Sequence, residues 1–521
     1  MPPITHAYSL NGYNIIIDGN SGAIHGVDPV AFMCIKLYDE LVIKTFSKSF
    51  KKHMAELSKI SADEAFALLE HAYRIYDEKK DDALSVGNSA LNLKSENRQL
   101  FDYLTAEAGV IDGILKSGCD SDVKLSDVIE VLLDIRELTL CDELFTEDVY
   151  EGIAAGLKKS QSTLKAICLH VAHGCNMRCG YCFAGDGEYN GSKALMDDAT
   201  AKAAIDFLIR ESKNRRNLEV DFFGGEPLLN FDVIKNTVKY ARSIEKSANK
   251  NFRFTLTTNG ILIDDEVIEF SNEQMSNVVM SLDGRKEEHD RMRKHAGLGS
   301  YELIKDKFIK FAKARKQKDY YIRGTYTGYN TDFSKDVLHI ADLGFDEISL
   351  EPVVACDEAE YSINESNIDN VLSEYERLSL EMLKRERASK GFNFYHFKID
   401  FNNGACISKR LSGCGVGSEY LAVTPEGDLY PCHQFVGKDE YILGNVNDGI
   451  TENERLKPFT ELTLYSRKEC KTCFAKLFCS GGCAANSLNY AGDITGQYEI
   501  GCRIHKKRIE CAIMMEMDRN S

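Results

Sequence analysis

The stretch "HVAHGCNMRCGYCFA", residues 170–184, sets Cys175, Cys179 and Cys182 in C-x3-C-x2-C spacing. A dithiol redox pair needs two thiols, and a structural zinc normally takes four. Three thiolates on a cubane iron–sulfur cluster leave one iron without a protein ligand, and an open iron can bind a substrate or cofactor. Other readings are a Cys-Gly-Tyr-Cys dithiol, a zinc site completed by His170 or His173, or haem attachment. The last fails because Phe183, not histidine, follows the pair.

Outward from this loop, short β-runs alternate with amphipathic helical patterns. The runs are "AICLHVA", "LEVDFFG", "FRFTLTT", "NVVMSLD", "YYIRGTY" and "DEISLEP", and "DDATAKAAIDFLIRESKN" and "FDVIKNTVKYARSIEKSA" are two of the helical stretches between them. That order predicts a parallel α/β barrel or open sheet, whose functional groups collect at the carboxyl ends of its strands. The cysteine loop directly follows the first strand. A polar segment, "KKSQSTLK", residues 158–165, is expected to link this region to what precedes it.

Bulk properties narrow the class. A chain of 521 residues corresponds to about three to four domains. With 43% hydrophobic and 28% charged residues and only 8 prolines, the whole chain is expected to fold. The net charge of −17 repels a phosphate backbone and no basic stripe offsets it, so nucleic acid is disfavoured as a partner. No segment reaches about 18 consecutive apolar residues, and the start, "MPPITHAYSLNGYNIIIDGNSG", lacks the basic and apolar regions of an export signal. The expectation is a soluble, cytoplasmic protein without membrane contact. In a reducing cytosol, 17 cysteines suit metal or thiolate chemistry better than a disulfide framework.

The cysteine loop, with Tyr181 before its third cysteine, resembles the radical S-adenosylmethionine (SAM) superfamily. The resemblance implies a partial (β/α)6 barrel, a [4Fe-4S] cluster at Cys175, Cys179 and Cys182, and SAM bound through its amino and carboxylate groups to the open iron. Further motifs fall where that fold expects them. In "FFGGEP", Gly224 and Gly225 let the backbone approach the methionine end of SAM, and Glu226 can accept from its ammonium group. "TTNG" ends the third strand. In "SLDG", Ser281 and Asp283, two residues apart on one strand face, are expected to bond the ribose hydroxyls. Tyr181 is counted with these cofactor contacts. Either Arg323 or Arg293 could bind the carboxylate.

A second cysteine field follows. Cys414 is followed by twelve residues, Gly427, four residues and Cys432; then come Cys470, Cys473, Cys479 and Cys483 as C-x2-C-x5-C-x3-C, and Cys502 after eighteen more residues. Seven thiolates exceed one tetrahedral zinc. A zinc ribbon on Cys470, Cys473, Cys479 and Cys483 is the plainer alternative. The pattern resembles the SPASM extension of peptide-modifying radical SAM enzymes, which assigns Cys414, Cys432 and Cys483 to auxiliary cluster I and Cys470, Cys473, Cys479 and Cys502 to auxiliary cluster II, for three [4Fe-4S] clusters in all. Cluster I is then one ligand short. Either Cys406 completes it or its open iron holds a substrate thiolate. Cys34, Cys119, Cys141, Cys168, Cys356 and Cys511 lie in apolar or helical contexts and are expected to be buried free thiols.

Ahead of the barrel, "YNIIID" and "GAIHGVD" flank Gly19, Asn20, Ser21 and Gly22 and predict a hairpin, followed by helical periodicity through "DPVAFMCIKLYDELV", "SADEAFALLEHAYRIYDEKK" and "KLSDVIEVLLDIREL". This resembles the winged-helix-like PqqD fold that binds leader peptides, in which an extended leader adds a strand to an exposed edge. A small structural α+β domain is the plainer reading. The domains expected are 1–155 for leader recognition with a helical insertion, 166–395 for the barrel and 400–521 for SPASM.

Taken together, "GYNIIID…NSGAIHGVD", "LFTEDVYEG", the cysteine loop and "VTPEGDLYPCHQFVG" resemble the maturases of SCIFF six-cysteine peptides, apart from the charged stretch at 45–105. That family implies thioether crosslinks between cysteine sulfur and an acceptor carbon in a ribosomally made, leader-bearing precursor, with flavodoxin or ferredoxin as electron donor. The alternative within the class is a sulfatase-maturating enzyme that makes formylglycine; outside it, an electron carrier or iron–sulfur sensor, for which the GGEP and SLDG motifs would have no use.

Overall fold

The computed structural model describes residues 2–78, 98–118, 122–160, 163–185, 187–191, 193–356, 358–399, 401 and 406–521. The chain divides into two compact bodies. One is Met1–Ile153 with Glu469–Phe478 and Glu516–Ser521; the other is Ala154–Lys468 with Cys479–Met515.

In the first body β1 (Thr5–Leu10), β2 (Tyr13–Asp18) and β3 (Ile24–Val27) form an antiparallel sheet in the order β1-β2-β3. The hairpin read from sequence is β2–β3, with Ile17 opposite Ile24. The strand β1 was not anticipated, although Asn11 and Gly12 between it and β2, at φ 51° and 82°, are the dipeptide that closes a two-residue hairpin whose twist matches its strands. Ile15, Ile16 and Ile17 are all fully buried, so β2 is covered on both faces. Helix α1 (Pro29–Tyr38) starts where Asp28 accepts from Val30 N and Ala31 N and proline takes the first turn. With α2 (Phe50–Leu57), α3 (Ala62–Glu78), α4 (Arg98–Ser117) and α5 (Leu125–Leu140) it packs a core around Tyr38, Leu69, Ile111 and Leu132. Part of the 45–105 stretch is thus helical; residues 79–97 and Cys119 lie outside the described residues.

The second body is built on one sheet. Its parallel strands are β4 (Ala166–His173), β5 (Asn217–Gly224), β6 (Asn251–Thr258), β7 (Asn277–Ser281), β8 (Asp319–Tyr326) and β9 (Glu347–Pro352), which neighbour one another in chain order, with β10 (Asn393–Phe394) beyond β9. These are the six runs read from sequence. On the other edge β11 (Tyr420–Val423) pairs parallel with β4, Leu421 opposite Ile167, and β12 (Asp428–Tyr430) continues antiparallel, so residues past 400 extend the sheet itself.

Alternation along the strands divides polar from apolar. Val220 and Phe222 of β5, Phe254 and Leu256 of β6 and Val278 and Met280 of β7 are fully buried, whereas Asp221, Phe223, Thr255, Thr257 and Ser281 occupy the opposite face. Between strands run α6 (Ala154–Ser160, ahead of β4), α7 (Asp198–Glu211), α8 (Phe231–Ala248) and α9 (Asp265–Gln274). Asp197 and Asp264 cap α7 and α9 by accepting from Thr200 N and Val267 N.

Two sequence readings need correction. The polar segment expected as a linker at 158–165 begins inside α6, and Lys158 is buried there, which lowers its ammonium pKa. Cys34, Cys168 and Cys511 are buried, but Cys141 and Cys356 are exposed. Cys141 caps the end of α5, past its apolar stripe, and Cys356 lies in the loop after β9. No described helix is long and apolar enough to cross a membrane.

Candidate active site

The cysteine loop leaves β4 at a register shift between His170 and Ala172. It is held from the side by the segment that follows α10 (Lys286–Met292): Cys179 pairs with Arg293 and Arg178 with Lys294 in antiparallel register, Gly180 N donates to Met292 O at 2.8 Å, and His295 Nδ1 meets Asn176 O at 2.7 Å. Cys175 Sγ accepts from Met177 N at 3.3 Å and Asn259 Nδ2 at 3.5 Å. All three cysteines are half-buried. Burial pushes the Cys175 thiol up to about 11 and the Cys179 thiol up to about 12, so each carries its proton at neutral pH until a metal displaces it.

The carboxyl ends of β5 and β6 close on the loop. A Cβ on Gly225 would stand 2.1 Å from Gly174 O and 3.1 Å from Cys175 N, so only glycine permits this approach. Tyr189 donates to Gly224 O. Glu226 is buried and accepts from Leu228 N (3.1 Å), Thr258 Oγ1 (2.9 Å) and Asn259 N (2.8 Å). Burial raises its pKa to about 7, and those donors oppose the rise. Glu226 therefore ties β5 to β6 and places Asn259 against Cys175. Sequence reading quoted "TTNG" without giving Thr258 and Asn259 this part.

Asp283 is not where the strand-face reading put it. Strand β7 stops at Ser281, which is half-buried, while Asp283 is buried with both oxygens engaged. Oδ2 accepts from Tyr181 Oη at 2.5 Å and Arg293 Nε at 3.0 Å, and Oδ1 from Thr325 N at 2.9 Å. The Arg293 guanidinium also lies over the Tyr181 ring, 5.5 Å from its centre. Asp283 thus anchors the loop instead of presenting its carboxylate to open space. Arg293 is consumed in that anchor. Arg323, on the polar face of β8, is exposed, and among the described residues its side chain makes no hydrogen bond. Facing it is Glu351: burial would raise its carboxyl, but His396, Arg508 and Arg323 hold it down to about 2.

His170 and His173 bond each other, Nδ1 to Nε2 at 3.2 Å, beside Tyr189, rather than turning to the cysteines. Among the described residues no three His, Cys, Asp or Glu side chains converge as one ion would need. A cubane places its thiolates on separate irons, so a three-cysteine donor set suits it without such convergence. In the later field Cys414, Cys432 and Cys483 are electrostatic neighbours. Burial raises the Cys432 thiol, and Cys483 and Cys414 raise it further; Cys414 acts on Cys483 as well. Cys406 is exposed, as are Cys414 and Cys483, and stands at the start of α11 (Ile407–Ser412).

Two buried histidines set an acid limit. Burial lowers His289 to about 4, with Nδ1 accepting from Asp283 N, and burial together with Arg508 lowers His396 to about 3. The unfolded chain takes up these protons near pH 6.5 and the folded chain does not, so stability is whole above pH 6.5 and falls below it, by about 1.4 kcal/mol per pH unit for each group. Urea unfolding of His396→Gln between pH 6.5 and 4.5 is expected to give a slope shallower by about that amount; an unchanged slope would refute this.

Comparison with known proteins agrees with this fold. Residues 169–350 match the radical SAM superfamily and residues 414–474 match SPASM, an iron-sulfur cluster-binding domain. An uncharacterized protein of Methanocaldococcus jannaschii is 36% identical over 121 residues, 23% of this chain, and the match spans only 39% of that protein. The radical SAM cyclopropyl synthase TigE of Paramaledivibacter caminithermalis is 23% identical over 68% of this chain and 75% of its own. The cysteine-type anaerobic sulfatase-maturating enzyme of Clostridium perfringens is 25% identical over 60% of this chain and 86% of its own. Native anSMEcpe with bound AdoMet shares the fold at TM-score 0.57 and 20% identity, over 68% of this chain and 98% of that one. The chain therefore carries a radical SAM α/β domain, which binds SAM and a [4Fe-4S] cluster, followed by a SPASM domain, which binds further iron–sulfur clusters.

Proposed function

We propose that the chain is a peptide maturase that forms thioether crosslinks between cysteine sulfur and a carbon of an acceptor residue in a ribosomally made, leader-bearing precursor. The observation that carries the thioether reading is the trio Cys414, Cys432 and Cys483, whose thiols interact electrostatically with one another. A cluster on three sulfurs keeps an iron for a substrate thiolate, which would be oriented and deprotonated there. Cys470, Cys473, Cys479 and Cys502 are proposed for a third cluster.

When bound, a reduced [4Fe-4S] cluster supplies the electron that cleaves SAM to methionine and a 5′-deoxyadenosyl radical. Cys175, Cys179 and Cys182 would hold that cluster. Gly224 and Gly225 would give SAM room, Glu226 retains lone pairs for its ammonium group, Ser281 is offered to the ribose, and Arg323 to the carboxylate. Tyr181 would line the site with its hydroxyl fixed on Asp283. Joining a peptide S–H to a peptide C–H would pass the carbon's hydrogen atom to the nucleoside, release the proton of the sulfur and give up one electron, for which an auxiliary cluster would be the acceptor. A flavodoxin or ferredoxin would supply the low-potential electron.

The edges of the β1-β2-β3 sheet, unpaired within it, suit an extended leader added as a strand. Formylglycine formation is the second reading, favoured by the likeness to sulfatase-maturating enzymes. Reduced, anaerobic protein given SAM is expected to release deoxyadenosine, and a cysteine-rich precursor to lose about two hydrogens of mass per crosslink. No deoxyadenosine from fully reconstituted protein removes the enzyme reading; a serine- or cysteine-derived aldehyde in place of a crosslink selects the second.

A further inference from the structure

Cys470 and Cys473 do not belong to the barrel-bearing body. They lie in Glu469–Phe478, which is compact with the amino-terminal sheet. The attachment is close. A Cβ on Gly19, in the β2–β3 turn, would lie 2.8 Å from Phe474 Cα and 3.0 Å from Ile4 Cγ2, so this glycine is the space in which the cysteine segment sits. The rings of His6 in β1 and Phe474 stack at 3.7 Å between centres, 6° from parallel.

Lys476 completes the attachment. Its side chain and that of Asp148 are both fully buried, and Nζ donates to Asp148 Oδ2 and to Asn20 Oδ1, each at 2.6 Å. Asn20, the turn residue beside Gly19, in turn donates to Thr146 O at 2.8 Å. A buried ammonium needs such partners, and losing one strands the other charge. Nothing in the proposed chemistry uses Lys476, yet the segment it anchors is the one that carries the two thiols. Lys476 N also donates to Cys473 O, and Cys473 N to Cys470 O, so the anchor reaches the cysteines within two backbone hydrogen bonds.

We propose that Lys476 and the β2–β3 turn are positioning elements for Cys470 and Cys473, so that a change at the turn is felt by the metal these two thiols hold. This rests on the reading of Cys470 and Cys473 as cluster ligands.

The test uses full-length protein purified anaerobically, with iron content and the electron paramagnetic resonance of the dithionite-reduced protein as readouts. Cys470→Ser/Cys473→Ser identifies the signal in question and is expected to lose about four irons per chain. Gly19→Val, which places methyls into Phe474, is expected to shift that signal or at least halve it while leaving the signal of the Cys175 loop unchanged. Lys476→Met should do the same, and Lys476→Arg should restore the signal. Should Gly19→Val fail to fold, Lys476→Met/Asp148→Leu, in which no charge is stranded, decides on the same signal. A wild-type spectrum in Lys476→Met or its paired variant overturns the proposal. Full iron in Cys470→Ser/Cys473→Ser overturns instead the ligand reading on which it stands.

Discussion

Asp283→Asn is expected to destabilise the barrel-bearing body by about 3–5 kcal/mol, because it strands a buried guanidinium. Arg293 and Asp283 keep only 12% and 2% of their side-chain surface exposed. The asparagine can still accept from Tyr181 or Thr325 N, but it cannot neutralise Arg293. The damage should reach the cofactor, since the residue that loses its counter-ion is the backbone partner of Cys179. A displacement of about 1 Å at a reacting centre can cost on the order of 100-fold in rate, so deoxyadenosine formation should fall by about that factor in protein that still folds. Removing both charges as Arg293→Met/Asp283→Leu should recover much of the stability, yet not the deoxyadenosine, because the geometry and not the charge serves the loop. Urea midpoints and deoxyadenosine yields decide. If Asp283→Asn stays within about 0.5 kcal/mol of the parent with full turnover, the anchor is not what holds the loop.

What could be read in the sequence follows the range of the forces involved. The six barrel strands were legible because the first, buried on both faces, leaves a near-continuous apolar run, "AICLHVA", and those after it alternate buried and open positions, as in "LEVDFFG", while the helix "FDVIKNTVKYARSIEKSA" was read to its ends because its period holds throughout. The cysteine loop was legible because cluster ligation constrains spacing. Contacts made by chain return were not. Asp283 finds Arg293 only because residues 293–295 come back against 178–179, and "SLDG" by itself gives no sign that its carboxylate is turned inward. Asn259 reaches Cys175 across 84 residues for the same reason. The placement of Glu469–Phe478 with the amino-terminal sheet is made by Phe474 against Gly19 and His6 and by the buried Lys476, in a charged, cysteine-rich stretch where local pattern carries no information about the partners. Strand β1 was a different failure, since its turn dipeptide is local and was present in the text.

The second large effect concerns the open coordination site itself. Cys414→Ser, Cys432→Ser and Cys483→Ser are each expected to lower bound iron by about four atoms per chain, one cluster, while Cys406→Ser leaves the iron content unchanged. The first three sulfurs act on one another, so each is expected to carry one iron of the same cubane, and losing any of them removes a ligand. Cys406 stands at the start of α11, eight residues before Cys414. With Cys406 uninvolved, one iron of this cluster is left to an exogenous thiolate, and a cysteine-containing peptide should alter the paramagnetic signal of the wild type and of Cys406→Ser alike, whereas a serine-containing counterpart should not. That contrast is what separates capture of a substrate sulfur from plain electron transfer: a saturated cluster can accept an electron but cannot present a thiolate to a carbon radical. Loss of about four irons in Cys406→Ser would mean that the chain closes the site with its own fourth sulfur, and the argument for thioether formation by thiolate capture would pass to the formylglycine reading.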